Sequence, residues 1–439
     1  MTEEISQKDR EIKTKSARAW FASGSGFLSQ LICVWGLSIF GISMSTIASD
    51  LGVEVSALGI ATSIYGACYA GFSVVWGNLA DRLGVRKTLS IAVLGIGVFL
   101  ILAGQLATNA ISAIALYALA GVFASGTASA VLPKLISTWF AANSRGKGMT
   151  VVTLGGSLAG VLGGILFPQL LKSMGWHGCF SVVGIIAIVV AIIIFAILRD
   201  EPACIGTYPF GSPVGTPVEF SSKRDLTAEE KAANKANALR VLKMPITWKY
   251  GILYIFWQFT LMAYQAYTVV AAQAAGMDLV SASFITTIVT ACMAIGTIFF
   301  PFLSDKIGRK PTIVVASILT GVCALSAFFA YGAGAAATPI VIYLIYGVYG
   351  FCNAVTPLHN TAMAECYPEE LRGAGPGMIS TIAIVGRFGG PMIAGSLIAM
   401  SGNTTIAIAF TGVCVIISGI LSLLWVPRTG GKYGDPMAK

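Results

Sequence analysis

Two stretches of the chain, GNLADRLGVRKT at residues 77–88 and PFLSDKIGRKPT at residues 301–312, match each other position by position. The match superposes Asp81 on Asp305, and in both copies basic residues and a glycine follow the aspartate. Further along each half, a second segment begins Ala-Val-x-Pro and ends Arg-Gly-x-Gly. Self-similarity of this kind indicates that the chain contains two copies of one structural unit in the same orientation.

Apolar runs surround both motifs. The 439 residues are 56% apolar and only 11% charged, against roughly 25% charged residues in a soluble protein. Runs of about 20 apolar residues suffice to cross a hydrocarbon core of roughly 30 Å, and such runs satisfy their backbone polar groups as helices. This pattern excludes a soluble enzyme, a secreted disulfide scaffold and a disordered protein. It predicts an all-α membrane protein with twelve transmembrane helices, at residues 27–49, 56–80, 88–107, 111–138, 148–170, 177–198, 250–274, 281–303, 312–333, 338–363, 376–399 and 404–426.

Loop lengths divide the chain into five parts. The loops are short except for residues 199–249, a Pro- and Gly-rich stretch followed by a helical pattern in which Thr227 and Glu230 have capping-box spacing. We interpret this linker as a tether with an amphipathic helix, and a regulatory docking site is the alternative. The predicted parts are a tail at 1–26, a six-helix bundle at 27–198, the linker at 199–249, a second six-helix bundle at 250–426 and a tail at 427–439.

The basic residues are distributed asymmetrically. The net charge is +9, from 28 Lys and Arg against 19 Asp and Glu. Apart from Lys134, Lys172 and Arg387, every Lys and Arg lies in a terminal tail, in the linker or in a loop that follows an even-numbered span. By the positive-inside rule, both termini and the linker face the cytoplasm, and we expect a multi-pass protein of the cell (inner) membrane. The charge therefore reflects topology and requires no nucleic-acid partner.

The motif G-x-x-x-D-R-x-G-x-R-K after the second span resembles the signature loop of the major facilitator superfamily (MFS). Its weaker copy SDKIGRKPT follows the eighth span, so the resemblance extends over all twelve spans. The resemblance implies two pseudo-symmetric six-helix bundles that transport a small molecule by alternating access, with the site at the bundle interface. It also implies a cytoplasmic charge cluster that helps to hold the outward-open state. Its expected members, with Lys87 beside them in the loop, are Asp81, Arg82, Arg86, Asp305, Lys306, Arg309, Arg145 and Arg372.

One arginine lies deep inside a span. Arg387, in the stretch AIVGRFGGPMIAG of span 11, is about 15 Å from the cytoplasmic end at ~1.5 Å per residue. An ionisable residue at this depth costs at least about 2.5 kcal/mol on insertion and is a functional candidate by default. Arg387 aligns with Gly160 of the first half, so only one half carries the guanidinium, which can hold a carboxylate by two parallel hydrogen bonds. The alternative is a structural arginine bonded to carbonyls or to a neighbouring helix.

The spans contain no deep Asp or Glu that could serve as counter-charge for a cation. The expected substrate is therefore an anion. The segments CYPEELRGAGPG and VGRFGGP also resemble the aromatic-acid and organic-anion branches of the superfamily, in which the residue matching Arg387 implies anion recognition and Arg372 matches the loop arginine.

Two further side chains are candidates for coupling. Lys134 in span 4 either reaches the headgroups or participates in the transport path, and His359 in span 10 is the only intramembrane side chain whose unperturbed pKa lies near neutrality, although a packing histidine is the alternative. Span 1 reads CVWGLSIFG and lacks the acidic pair of aromatic-acid proton symporters. Symport, exchange, uniport and coupling through His359 therefore remain open.

Aromatic and polar residues at helical spacing could line the pocket, since binding pockets are apolar walls with a few placed polar groups. Helix packing is the alternative for each of them. The candidate wall residues are Trp35, Tyr65, Tyr69, Tyr254, Trp257, Gln258, Tyr346, Tyr349 and Asn353.

Together these features predict a secondary active transporter of a small organic anion, a mono- or aromatic carboxylate, with a proton as an optional coupling ion. A drug or neutral-metabolite exporter, a sugar carrier and a non-transporting sensor are the alternatives; a sensor would be expected to carry an added signalling domain. No nucleophile–base pair suggests an enzyme, and the scattered cysteines and two histidines suggest neither a metal nor a cofactor. The expected surroundings are the lipid bilayer, and we expect a monomer.

Overall fold

The structure, a computed structural model, describes residues 2–127, 131–141, 144–212, 228–334 and 338–429. Within these ranges the chain is helical, and the single strand-like feature is a bridge between Phe140 and Phe210. The helices are α1 Thr2–Leu51, α2 Val55–Gly71, α3 Ser73–Leu83, α4 Val85–Leu106, α5 Ala110–Ala124, α6 Val131–Trp139, α7 Arg145–Ile197, α8 Ala228–Lys243, α9 Pro245–Ala274, α10 Leu279–Ile307, α11 Arg309–Gly332, α12 Pro339–Asn353, α13 Thr356–Glu365, α14 Ala374–Ile382, α15 Ile384–Ser401 and α16 Ile406–Trp425.

Several spans consist of two helical pieces. Helices α2 and α3 meet at a bend of 43° and together form span 2. The pairs α5–α6, α12–α13 and α14–α15 form spans 4, 10 and 11, and α7 contains spans 5 and 6, separated at Gly175 by a φ of 65°. Spans 1, 3, 7, 8, 9 and 12 are α1, α4, α9, α10, α11 and α16. The described helices therefore correspond to the twelve predicted segments of a multi-pass membrane protein. Nine helical segments among the described residues, or ten with the bent pair counted as one span, are long and apolar enough to cross a membrane.

The sequence repeat is also a backbone repeat. Gly84 between spans 2 and 3 has φ 87° and ψ 159°, and Gly308 between spans 8 and 9 has φ 97° and ψ 161°. Residues other than glycine rarely adopt these φ and ψ angles, because their Cβ atom would clash with the backbone. The two aligned glycines thus make the same turn in each bundle.

The two bundles share a hydrophobic core at one end only. One cluster of buried apolar residues fills spans 1–6 and continues into span 7 at Tyr267, span 8 at Ile285 and span 11 at Ile398. A separate cluster fills the other end of the second bundle, around Tyr250 and Leu358. The same end of the molecule carries charged loops of both bundles, and we call it the charged-loop end. Its loops are residues 81–87, 199–200, 305–310 and 365–372.

The linker packs against both bundles. Phe210 donates its N–H to the carbonyl of Trp139 at 2.8 Å, and Trp20 of α1 packs against the Phe210 ring at 5.4 Å. Helix α8 packs on α9 and α14, and Thr247 of α9 donates to the Val241 carbonyl at 2.6 Å. The predicted helix is present from Ala228, whereas its predicted capping residue, Thr227, lies outside the described residues.

Candidate substrate site at the bundle interface

Arg387 lies on α15, four residues after the junction with α14 at Ala383. Glycines on either side of it bring span 11 against span 7. A Cβ on Gly386 would lie 2.5 Å from the Ile255 carbonyl oxygen, and one on Gly390 would lie 2.8 Å from the Phe259 carbonyl oxygen. Because these positions have no side chain, the backbones of α15 and α9 approach closely and place the partly exposed Arg387 beside span 7.

Gln258 of span 7 is the partner of the guanidinium. Its side chain is buried, and in the amide orientation that satisfies both groups its Oε1 accepts from Arg387 Nε at 3.0 Å and from Nη2 at 3.1 Å. The amide is neutral, and no ion pair involves Arg387 among the described residues. The positive charge of Arg387 is therefore hydrogen-bonded but not neutralised.

The first bundle contributes Tyr69 to the same site. The Cζ atom of Arg387 lies 5.3 Å from the centroid of the Tyr69 ring, a cation–π contact between span 2 and span 11. Span 2 can approach because of Gly66, where an added Cβ would lie 3.3 Å from the Arg387 carbonyl oxygen. The thiol of Cys33 in span 1 lies beside Tyr69. Cys33 was not predicted, because the sequence offers no signal that separates it from the packing cysteines.

Tyr254 and His359 continue the site further within the second bundle. Tyr254 lies one helical turn before Gln258 and within electrostatic range of Arg387. The His359 ring is fully buried, 5.6 Å from the Tyr254 ring and 4.8 Å from the Trp257 ring, and its Nδ1 lies 3.2 Å from the Tyr250 hydroxyl. His359 therefore lies behind the wall that faces Arg387.

Other predicted wall residues lie in the bundle interiors. Trp35 donates from Nε1 to the Ala159 carbonyl at 2.9 Å, and Tyr65 stacks on Tyr117 at 4.5 Å. Tyr346, Tyr349 and Asn353 are buried in the second bundle, where the two tyrosines pack around Tyr264. Of the nine predicted wall residues, those around Arg387 are thus Tyr69, Tyr254 and Gln258. Trp35 and Tyr65 instead make contacts within the first bundle, as expected for residues that pack helices together.

The bundles touch from the level of Arg387 to the end opposite the charged loops. Ser45 donates to Gln273 at 2.7 Å, and Thr287 donates to the Val161 carbonyl at 3.1 Å. Helix α2 packs on α15, whereas α3 and α14, the charged-loop parts of the same spans, have their main contacts within their own bundles or with α8. The interface is therefore closed at the opposite end and parted at the charged-loop end.

A family model described as "Major Facilitator Superfamily" matches residues 26–352 and 250–437. The chain belongs to the Major Facilitator Superfamily. The D-xylose–proton symporter, a solved structure with a TM-score of 0.76 and 15% identity, covers 94% of this chain and 99% of its own. This likeness shows the fold, and with the family match it confirms the two-bundle MFS architecture and a transport protein in place of an enzyme.

Three relatives match most of this MFS chain. A membrane sensor protein of Escherichia coli is 24% identical over 88% of this chain and 87% of its own length. A probable galactarate/D-glucarate transporter of Bacillus subtilis is 23% identical over 93% and 92%. A gallate transporter of Pseudomonas putida is 24% identical over 88% and 87%.

In the MFS signature loop of the first bundle, Asp81 pairs with Lys134, which also donates to the Ala80 carbonyl at 3.2 Å. The structure thus places the coupling candidate Lys134 in the charge cluster of the loop. Arg86 donates from Nε to the Phe195 carbonyl at 2.8 Å, and its backbone N–H donates to Asp200 at 2.8 Å. Asp200, which was not among the predicted gate residues, caps the start of span 3 from the end of span 6.

The signature copy in the second bundle has a different cation. Arg309 pairs with Asp305 at 2.6 Å and with Glu365 at 3.3 Å, and its side chain is only 15% exposed. Glu365 of span 10 was not among the predicted gate residues. The aspartate is therefore present in both bundles, but its ion-pair partner differs. It is Lys134 of span 4 in the first bundle and Arg309 of the loop itself in the second.

The remaining gate residues lie at the surface or bond locally. Arg82, Arg145 and Lys306 are exposed, and Arg372 donates from Nε to the Tyr367 carbonyl at 3.4 Å. Among the described side chains, no ion pair joins the two bundles. The charged loops thus form two clusters, one on each bundle, in this state.

Proposed function

We propose that this MFS protein is a secondary transporter that moves a small organic anion, a mono- or aromatic carboxylate, by alternating access. The observation that carries the proposal is the guanidinium of Arg387, which lies between the bundles without an acidic partner among the described residues. Such a group binds a carboxylate by charge-assisted, bidentate hydrogen bonds. The names of two relatives, a gallate transporter and a probable galactarate/D-glucarate transporter, are consistent with an acidic substrate.

The basic loops supply the orientation within this proposal. If the Lys- and Arg-rich loops face the cytoplasm of a cell (inner) membrane, both termini are cytoplasmic, and the parted end of the interface opens inward. Arg387 is then reached from the cytoplasm in this state and from outside after the bundles rock. Both halves of the site come from one chain, so a monomer suffices for transport.

A ligand screen of the purified protein tests the substrate class, because a ligand that binds the folded state raises its melting temperature. The probes are benzoate, gallate, gluconate, glucose and choline at equal concentrations. We expect a carboxylate to raise the melting temperature of the wild type and to have no effect on Arg387→Gln. Stabilisation by glucose or choline alone, or equal stabilisation of Arg387→Gln by the acid, would contradict the proposal.

A sensor is the second candidate function, because one relative is a membrane sensor protein. That relative is matched over 87% of its own length, so a sensor in this family need not carry a large added signalling domain, contrary to the expectation from sequence. Counterflow in proteoliposomes separates the two functions. A transporter exchanges labelled ligand across the bilayer, whereas a sensor binds the ligand without exchange.

A further inference from the structure

The guanidinium of Arg387 offers two edges that can each bind a planar acceptor with two donors. Nε and Nη2 form the side edge, and Nη1 and Nη2 form the end edge. Gln258 takes the side edge, since its oxygen lies 3.0 Å from Nε and 3.1 Å from Nη2. The Tyr69 ring lies over the guanidinium, 5.3 Å from Cζ. The Tyr69 side chain also hydrogen-bonds to the guanidinium. No acidic side chain among the described residues pairs with Arg387, so the end edge is available to an acid that binds beside Tyr69.

A glutamine suits this role better than the residues that resemble it. A glutamate, which has the same size, would form an ion pair with Arg387 and neutralise its charge. A leucine would make no hydrogen bond, so the guanidinium could change its orientation. Gln258 is buried within α9, so its side chain has little freedom of its own. It orients the guanidinium and leaves its charge intact.

The charge available to a substrate is a single positive unit. Within the twelve apolar segments predicted from the sequence, the Lys and Arg side chains are Arg387 and Lys134, and Lys134 is paired with Asp81 at the charged-loop end. A second carboxylate on the same substrate would lie between the bundles without a cation among the described residues. Burial of an unpaired carboxylate is costly.

We infer that Gln258 is a positioning residue that determines specificity: it holds the side edge of Arg387 so that the end edge receives one carboxylate, which makes the substrate a monocarboxylate. This inference rests on the proposed function and sharpens its substrate class. It assigns the discrimination between mono- and dicarboxylates to the contact between span 7 and span 11.

Matched pairs of probes test the inference in the full-length protein. The pairs are benzoate with phthalate and gluconate with glucarate, because the members of each pair share a scaffold and differ in one carboxylate. Binding constants are measured for the wild type, Gln258→Glu, Gln258→Leu and Arg387→Gln. Gln105→Glu serves as the control, because it adds the same charge at an exposed position bonded to Ser181.

The wild type is expected to bind the monocarboxylate of at least one pair at least about tenfold more tightly than the dicarboxylate. Gln258→Glu should lower that affinity at least about tenfold because the new carboxylate occupies Arg387. Gln258→Leu should bring the ratio of mono- to dicarboxylate affinity towards one, which a purely structural role of Gln258 would not do. Gln105→Glu should match the wild type in affinity, and Gln258→Glu should match it in melting temperature.

The two proposals fail in different ways. If no carboxylate binds to the wild type, or if Arg387→Gln binds as the wild type does, the proposed function itself is wrong. If Arg387→Gln abolishes binding while Gln258→Glu and Gln258→Leu keep wild-type affinity and selectivity, the proposed function stands and the role of Gln258 is overturned. Equal wild-type affinity for both members of the bound pair overturns the assignment of a monocarboxylate.

Discussion

In the amide orientation that satisfies both side chains, the oxygen of Gln258 accepts two hydrogen bonds from Arg387, from Nε at 3.0 Å and from Nη2 at 3.1 Å. The two residues lie on spans 7 and 11 of one bundle, whereas the Tyr69 ring that faces the same guanidinium belongs to the other bundle. An anion bound at Arg387 would therefore contact a group that both bundles hold. In the alternating-access mechanism that we propose, this arrangement lets substrate binding influence the relative position of the bundles.

Closure of the interface at the end opposite the charged loops depends on glycine. A Cβ on Gly41 of span 1 would overlap the backbone carbonyl oxygen of Gln265 in span 7. Gly41→Ala should therefore separate the bundles and favour the state that is open at that end. Gly24→Ala on the same helix is the matched control, because a Cβ there meets no atom within 4 Å.

Spin labels at Asn109 and Asn403, which lie in exposed loops at the closed end of different bundles, would measure this separation in a Cys204→Ser background. We expect the distance between the labels to increase in Gly41→Ala and to stay at the wild-type value in Gly24→Ala. The same distance in all three proteins would show that the contact at Gly41 does not control closure.

The pair Lys134–Asp81 should favour the state described here. It holds Asp81 within the first bundle, whereas the family resemblance implies that the Asp81 cluster helps to hold the outward-open state. Lys134→Gln should free Asp81 and increase the population closed at the charged-loop end. Both side chains are substantially exposed, at 36% and 64%, so the pair is worth at most about 1 kcal/mol and the population should change by no more than about fivefold.

Labels at the exposed residues Lys147 and Ile307 would report that population as the fraction of molecules with a short distance between the bundles. Lys249→Gln, which removes an exposed charge from the same end of the molecule, is the control. An unchanged distance distribution in Lys134→Gln would remove this ion pair from the account of gating.

His359 should act mainly through packing. It is fully buried among Tyr254 and Trp257 and shares a hydrogen bond with the Tyr250 hydroxyl. His359→Gln should lower the melting temperature and leave the pH dependence of uptake unchanged, and Tyr250→Phe should cost about 1 kcal/mol of stability through the lost bond. A pH profile that flattens in His359→Gln but not in Tyr250→Phe would instead assign the coupled proton to His359.

The ring contact between Trp20 and Phe210 should keep the first part of the linker packed against the first bundle. Phe210 packs on Trp20 and Phe140 and is bonded through its backbone to residues 139–141. Phe210→Ala removes the ring contacts, which are worth about 0.5–1.5 kcal/mol each beyond burial, and keeps the backbone bonds. We expect faster tryptic cleavage after Arg199, while Phe329→Ala, at an exposed position on span 9, should be cut at the wild-type rate.

The fold was predictable because its determinants are local in sequence. Apolar runs of span length predicted the spans, although not that several of them are broken into two helices, and the aligned Gly84 and Gly308 marked turns that only glycine makes readily. The depth of Arg387 in its span was likewise enough to place it at the level of the bundle interface. These features can be predicted without knowing which helices are neighbours in the fold.

The partners of the site residues could not be predicted, because they depend on packing between distant spans. Gln258 was one of nine candidate wall residues, and only the close approach of α15 to α9 at Gly386 shows that it binds Arg387. Lys134 meets Asp81 across 53 residues of sequence, and Asp200 and Glu365 join the charged loops in the same way. Spacing within a helix predicts its faces but not the helix that lies opposite.

In the proposed mechanism, Arg387 binds the transported carboxylate. Counterflow of the labelled carboxylate that stabilises the wild type, measured in proteoliposomes with equal amounts of wild type, Arg387→Gln and the control Lys147→Gln, tests it most directly. Loss of a charge-assisted bidentate bond, worth about 3 kcal/mol, should slow exchange by Arg387→Gln at least about 100-fold at subsaturating substrate, with Lys147→Gln at the wild-type rate. Exchange by Arg387→Gln at the wild-type rate would show that Arg387 does not bind the transported carboxylate.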